Sequence, residues 1–188
     1  MSTATTLERE VKLSFDSAEA AREAILAAGA TPLHCRRLQE DALLDTAGDS
    51  LRERACALRI RMENGKSRIT FKGPVQPSTM KLRDEFETVV GDGALLLHIF
   101  EELGFHVWFR YEKYREEYAA EGVTVAVDET PVGVFVEIEG CEKGITAMAA
   151  AMGRGPSDYI LDSYRGLFLQ RRNALGLTGA DMLFDQPE

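Results

Sequence analysis

Charge recurs at every second residue in segment after segment of this chain. Glu8, Glu10 and Lys12 keep that rhythm, as do Arg59 with Arg61, Thr70 with Lys72, and Lys81, Arg83, Glu85 and Glu87. Lys113 with Arg115, and Glu137 with Glu139, repeat it. Successive side chains of a strand point to opposite faces, so a period of two places each set on one face. The alternate positions are apolar: Leu58, Ile60 and Met62; Ile69 and Phe71; Leu82 and Phe86, with Val90 beyond a bulge; Val134, Val136 and Ile138. One such strand alone reads as a solvated outer face with cross-strand ion pairs. Repetition changes the reading, because every apolar face needs a core. Helices packed outside the sheet would supply it, and the charged face would then be an interior.

Turn and cap signals divide the chain accordingly. A strand over Glu8–Phe15 is followed by Asp16, three residues before Glu19, a spacing that opens a helix over Ser17–Ala28 with Gly29 as its stop. Strands are predicted over Asp41–Thr46, Ala57–Met62, Ser67–Lys72, Met80–Val90, Val107–Ala119, Val123–Asp128 and Val134–Glu139. Asn64-Gly65 is a hairpin signal. Helical spacing covers Gly93–Leu103, Glu142–Met152 and Ser157–Leu175. Short strands joined by hairpins predict an antiparallel sheet, and closure into a barrel removes its edges. The expectation is an α+β fold: an eight-stranded antiparallel barrel with helices outside. A single domain over 1–176 and a tail over 177–188 follow, with Leu183 and Phe184 able to dock the tail.

Composition narrows the function. The 188 residues are 45% hydrophobic and 28% charged, ordinary for a globular chain. No apolar run reaches the roughly 18 residues of a membrane span, and no basic-then-apolar leader is present. The expectation is a cytoplasmic protein with no membrane partner. A net charge of −9 argues against coating nucleic acid, though not against a small anion in a cleft. Cys35, Cys56 and Cys141 are far apart and form no CxxC, so neither a disulfide framework nor a thiolate zinc site is expected. His98 falls in an apolar helical pattern and reads as structural.

An interior crowded with carboxylates and guanidiniums is costly unless a ligand or metal completes it. Glutamates offer hard oxygens to Mg²⁺ or Mn²⁺, and lysines and arginines bind phosphate oxygens. No Walker A loop and no GxGxxG is present, so side chains would have to hold the phosphates.

Several motifs, in order, then carry a resemblance. They are Glu8-x-Glu10-x-Lys12, Asp45-Thr46, Leu58-Arg59-Ile60-Arg61, Ile69-Thr70-Phe71-Lys72-Gly73, and Arg83-Asp84-Glu85-Phe86-Glu87. Leu103-Gly104-Phe105, Lys113-x-Arg115-x-x-Tyr118, Asp128, Gly133, Phe135, Glu137-Ile138-Glu139-Gly140 and Ser163-Tyr164-x-x-Leu167 follow. Together they resemble the CYTH family of triphosphate tunnel metalloenzymes, nearest its class IV adenylyl cyclase-like branch. The resemblance implies dependence on Mg²⁺ or Mn²⁺ and a small-molecule triphosphate substrate such as ATP. It implies Glu8, Glu10, Glu137 and Glu139 as metal ligands or the groups that support them. Lys12, Arg59, Arg61, Lys72, Arg83, Lys113 and Arg115 are implied as phosphate binders, with Lys72, Lys113 and Arg115 catalytic. Glu85, Glu87 and Asp128 are implied as tunnel carboxylates, and relatives suggest a homodimer. Tyr164 reads as packing.

One departure stands out. Many relatives carry a Tyr-Phe pair where this chain has Leu43-Leu44. A dedicated triphosphatase that uses such a tyrosine to activate water is thereby disfavoured. The readings are a cyclase making cyclic AMP and pyrophosphate, a triphosphatase acting on tripolyphosphate, thiamine triphosphate or a nucleotide, and a module that only binds polyphosphate. Replacing Glu10 or Glu137 by alanine is expected to leave the fold intact, through relief of like-charge repulsion.

Overall fold

The alternation does what its period requires. In the computed structural model, which describes residues 6–185, Thr6–Phe15 (β1) places Val11 and Leu13 outward into a core and Glu8, Glu10 and Lys12 inward. Seven further strands follow: Thr31–Thr46 (β2), Ala57–Glu63 (β3), Lys66–Lys72 (β4), Lys81–Val90 (β5), Phe105–Ala120 (β6), Val123–Thr130 (β7) and Gly133–Gly140 (β8). They close into one antiparallel barrel in the order β1-β5-β4-β3-β2-β6-β7-β8. The β3–β4 hairpin turns at Asn64 and Gly65, both at positive φ (48° and 71°), as a tight primed turn requires.

Five helices accompany the barrel among the described residues. Ala18–Ala27 (α1) and Glu142–Ala151 (α4) cover β1, β7 and β8, burying Ile25 and Ile145 against Val125, Val136 and Ile138. Ser50–Glu53 (α2) is one turn that the sequence reading missed. Gly93–Glu102 (α3) lies over β3, with Leu97 against Leu58 and Ile60. It approaches β4 so closely that a Cβ on Gly93 would lie 2.5 Å from Ser67 Oγ. Tyr164–Arg171 (α5) does something different. Its Tyr164 and Phe168 pack on Phe109, Tyr111 and Phe135, so the helix fills one end of the barrel.

Several expectations change. The N-cap of α1 is Ser17, whose Oγ accepts the Ala20 N–H at 3.1 Å, not Asp16. β2 starts ten residues earlier than the predicted Asp41, with register shifts near Pro32 and His34. The long last helix is broken. A 3-10 turn spans Pro156–Asp158, Ile160 pairs with Lys12 through two backbone hydrogen bonds (3.1 and 2.8 Å), and Ser163 caps a shorter helix. His98 is exposed on α3 rather than structural. In the tail, Met182 is the fully buried anchor beside Tyr111, and Phe184 stacks against Tyr114, while Leu183 faces solvent. Residues 186–188 lie outside the described part. The three cysteines are free, and no described helix is long and apolar enough to cross a membrane.

Candidate functional site

The inward faces surround a cavity of about 880 Å³. Every residue singled out from the sequence except Asp128 lines it, and Asp128 lies immediately behind, fully buried. The charges form two networks.

The first belongs to β1, β6, β7 and β8. Lys12 Nζ lies 2.7 Å from Glu10 and 3.1 Å from Glu137. Arg115 donates to Glu137 at 2.7 Å and clasps Asp128 with two bonds of 2.7 and 2.6 Å. Lys113 donates to Asp128 at 2.9 Å, and the Tyr164 hydroxyl donates to the same carboxylate. Burial works against the charge on Asp128, but Arg115 and Lys113 outweigh it and hold its pKa at about 2. Lys113 is balanced the other way. Burial, then the adjacent Arg115, push its ammonium down to about 7 despite Asp128. Lys81 reaches over from β5 to Glu10 at 2.7 Å, and burial with the nearby Lys12 lowers it to about 8.

The second network belongs to β2 through β5, with Glu8 from β1. Arg61 grips Asp41 through two bonds of 2.9 and 3.1 Å. Arg59 donates to Thr70 Oγ1 at 3.1 Å, and Thr70 donates to Glu87 at 2.8 Å. Lys72 sits between Glu8 and Glu85, and Arg83 donates to Glu8 at 3.0 Å. The sequence reading missed Asp41, although Gln39, Asp41 and Leu43 alternate as the other strands do. It also took Tyr164 for packing, whereas the structure gives its hydroxyl a buried carboxylate.

One carboxylate stands apart. Glu139 lies opposite Glu10 in the β1–β8 register, faces the cavity, and makes no hydrogen bond or ion pair among the described residues. It is open to the cavity yet hemmed in by protein atoms. That burial, then Glu137 and Glu8, push its pKa up to about 7. Among the described residues no three acidic, histidine or cysteine side chains converge as a metal site by themselves. The donor set nevertheless fits Mg²⁺ or Mn²⁺. Such ions commonly take one or two carboxylates and fill the remaining positions with water and substrate phosphates. Glu139 and Glu10, with Glu8 two residues on, supply such a face. Glu137 is turned toward Arg115 and Lys12 instead.

The pairs also correct the expectation for Glu10 and Glu137. Each neutralises two buried cations, so their removal strands charge rather than relieving repulsion.

Known proteins bear on this arrangement. A Methanocaldococcus jannaschii protein whose name proposes an adenylate cyclase is 31% identical over 134 residues, spanning 71% of this chain and 76% of its own. A Vibrio parahaemolyticus structure, also named for a proposed adenylate cyclase, superposes with a TM-score of 0.76 at 16% identity, over 88% of this chain and 99% of its own. A Hippeastrum protein superposes with a TM-score of 0.63 at 19% identity, over 87% and 95%. Its description reports a dominant triphosphatase activity. Residues 6–153 match the CYTH domain, a fold whose enzymes act on triphosphates and depend on divalent metal. That match, and a closed eight-stranded barrel with a charged interior, place this chain in the CYTH domain family.

Proposed function

We propose that this chain converts ATP to cyclic AMP and pyrophosphate inside the barrel. The observation that carries the reading is the cavity itself: cations from opposite walls, Lys12, Lys72, Arg59 and Arg83 among them, face one enclosed space beside the Glu10–Glu139 pair. A triphosphate brings several negative charges into that space. Its oxygens replace carboxylates as partners of Lys72, Arg83 and Arg59, which already point inward and need little reorganisation. The relative's name supports the cyclase over other triphosphate chemistry.

The 3′-hydroxyl oxygen attacks the α-phosphorus and gives up its proton to water, the bond to the bridging oxygen breaks, and pyrophosphate leaves with the electron pair. Glu10 and Glu139 would hold a divalent cation, which when bound would supply neutralisation of phosphate charge and a lowered pKa for the hydroxyl. Lys72, Lys113 and Arg115 stabilise charge on the leaving group, with Asp128 fixing the direction of Lys113 and Arg115. Catalysis of this kind is mainly positioning and electrostatics.

Hydrolysis of the terminal phosphate is the second reading, favoured by the activity described for the Hippeastrum protein. Leu43 weighs against it. Its apolar side chain lines the cavity at the position where the family resemblance implies a tyrosine. Product analysis decides. The protein is incubated with ATP, tripolyphosphate and thiamine triphosphate, in Mg²⁺ and in Mn²⁺. Cyclic AMP with equimolar pyrophosphate is expected from ATP. Orthophosphate without a cyclic product would replace the cyclase by the triphosphatase, and no turnover at all would leave only a binder.

A further inference from the structure

Beside the plugged end of the barrel, two guanidiniums sit over one indole. Arg52 of α2 lies 4.4 Å and Arg165 of α5 lies 4.7 Å from the centroid of the Trp108 ring. All three line the same cavity as the tunnel cations. Of the two, Arg52 has carboxylate partners and Arg165 has none among the described residues. Arg52 pairs with Asp49 and approaches Asp45 at 3.4 Å, yet its buried Nε has no hydrogen-bond partner. Arg165 has no carboxylate within ion-pair distance among the described residues. Burial, then Arg52 itself, disfavour its charge, although an arginine stays protonated. Elsewhere in this cavity each arginine has its acid: Arg61 has Asp41, Arg115 has Asp128, and Arg83 has Glu8. The indole is already engaged by the guanidiniums, so the unmet need here is for an anion and not for an aromatic ring.

We propose that Arg165 and Arg52, held on Trp108, form an outer phosphate subsite. It takes a further phosphate of a polyphosphate chain whose inner phosphates occupy the barrel. The inference rests on the triphosphate reading and extends it to longer chains. Arg52 and Trp108 lie within residues 6–153 that match the family, and Arg165 of α5 joins them from the C-terminal segment beyond. The fork of a guanidinium suits two phosphate oxygens at once.

Isothermal titration of the full chain in Mg²⁺ tests it, with tripolyphosphate, a long-chain linear polyphosphate and orthophosphate as probes. The variants are Arg165→Ala and Arg165→Lys. Arg165→Ala is expected to weaken the long chain by about tenfold and tripolyphosphate by less than about twofold, with Arg165→Lys between wild type and alanine. Equal loss for both chains, or no loss for either, overturns the proposal. An Arg165 dependence confined to orthophosphate also overturns it, by making the subsite one for free phosphate. If wild type fails to bind even tripolyphosphate, the tunnel reading itself falls. An unchanged long-chain affinity with tripolyphosphate still bound removes only the subsite.

Discussion

The barrel wall of β6, β7, β8 and β1 and the wall of β2 through β5 carry the same residue types in different settings. On the first, Lys12, Glu10, Glu137, Arg115, Asp128 and Lys113 are all buried, backed by α1 and α4, and sealed at one end by Tyr164. On the second, Asp41, Arg61, Thr70 and Lys72 are buried too, but β5 is mostly half-buried or exposed, and Phe86 on its outer face is 44% exposed. Arg68 and Glu87 pair in partial contact with water. Charges fixed in a buried, packed wall are costly to strand but are held in place before substrate arrives. Charges along the more open β5 side, such as the Arg68–Glu87 pair, contribute less to stability and can change partners. The first wall therefore sets geometry, and the second adapts to the ligand.

Four measurements would break or sharpen that contrast. Asp128→Ala strands Lys113 and Arg115 in the packed wall, and urea unfolding should show a loss of about 3–5 kcal/mol. A loss under about 1 kcal/mol would mean that this wall is no stiffer than the other. Glu139→Gln comes next, with metal-dependent triphosphate affinity expected to fall roughly 10- to 100-fold by titration. Its stability effect has a definite sign. A carboxyl raised to about 7 makes the native state hold a proton that the unfolded chain has released, so wild-type stability falls between pH about 4.5 and about 7. Glu139→Gln should flatten that fall in thermal melts across the window. A melt profile unchanged by the substitution would show that Glu139 already has a compensating cation.

Ser163→Ala removes the hydroxyl that caps α5, with Oγ 3.1 Å from the Gly166 nitrogen, and should cost about 1 kcal/mol. Its effect should be seen as faster amide exchange in α5 and around Tyr164, while β4 and β5 stay unchanged. Equal loosening of both walls would show that the plug holds the whole barrel. Arg68→Ala on the open wall should change stability by no more than about 0.5 kcal/mol. A larger cost by urea unfolding would erase the contrast from the other side.

Much of this was legible in the chain, for a reason visible in particular strands. Ala57–Glu63 alternates Arg59 and Arg61 with Leu58 and Ile60 because one face meets α3 and the other meets ligand space. Asn64-Gly65 declared its own turn. The first half of β2 was hidden, because its residues from Thr31 to Arg36 are exposed and so carry no alternation. Asp158-Tyr159-Ile160-Leu161 looked like the start of a helix, since local pattern cannot report that Ile160 will hydrogen-bond to Lys12 far away in the sequence. The Arg52–Trp108–Arg165 cluster brings together three distant elements and leaves no local signal.

The position of β1 between β5 and β8 has a kinetic consequence. Its partners begin at Lys81 and Gly133, so the first strand made has no neighbour nearby in sequence. Long-range closures of this kind are slow, because chain entropy is lost before contacts reward it. β1 waits for β5 and then β8, and Lys12 waits further still for Ile160. Refolding should recover the β2–β3–β4 hairpins early and ligand binding late. The last pairing that closes the barrel is then also the event that brings Glu10 opposite Glu139, so an intermediate that already shows most of the strands would still be unable to bind.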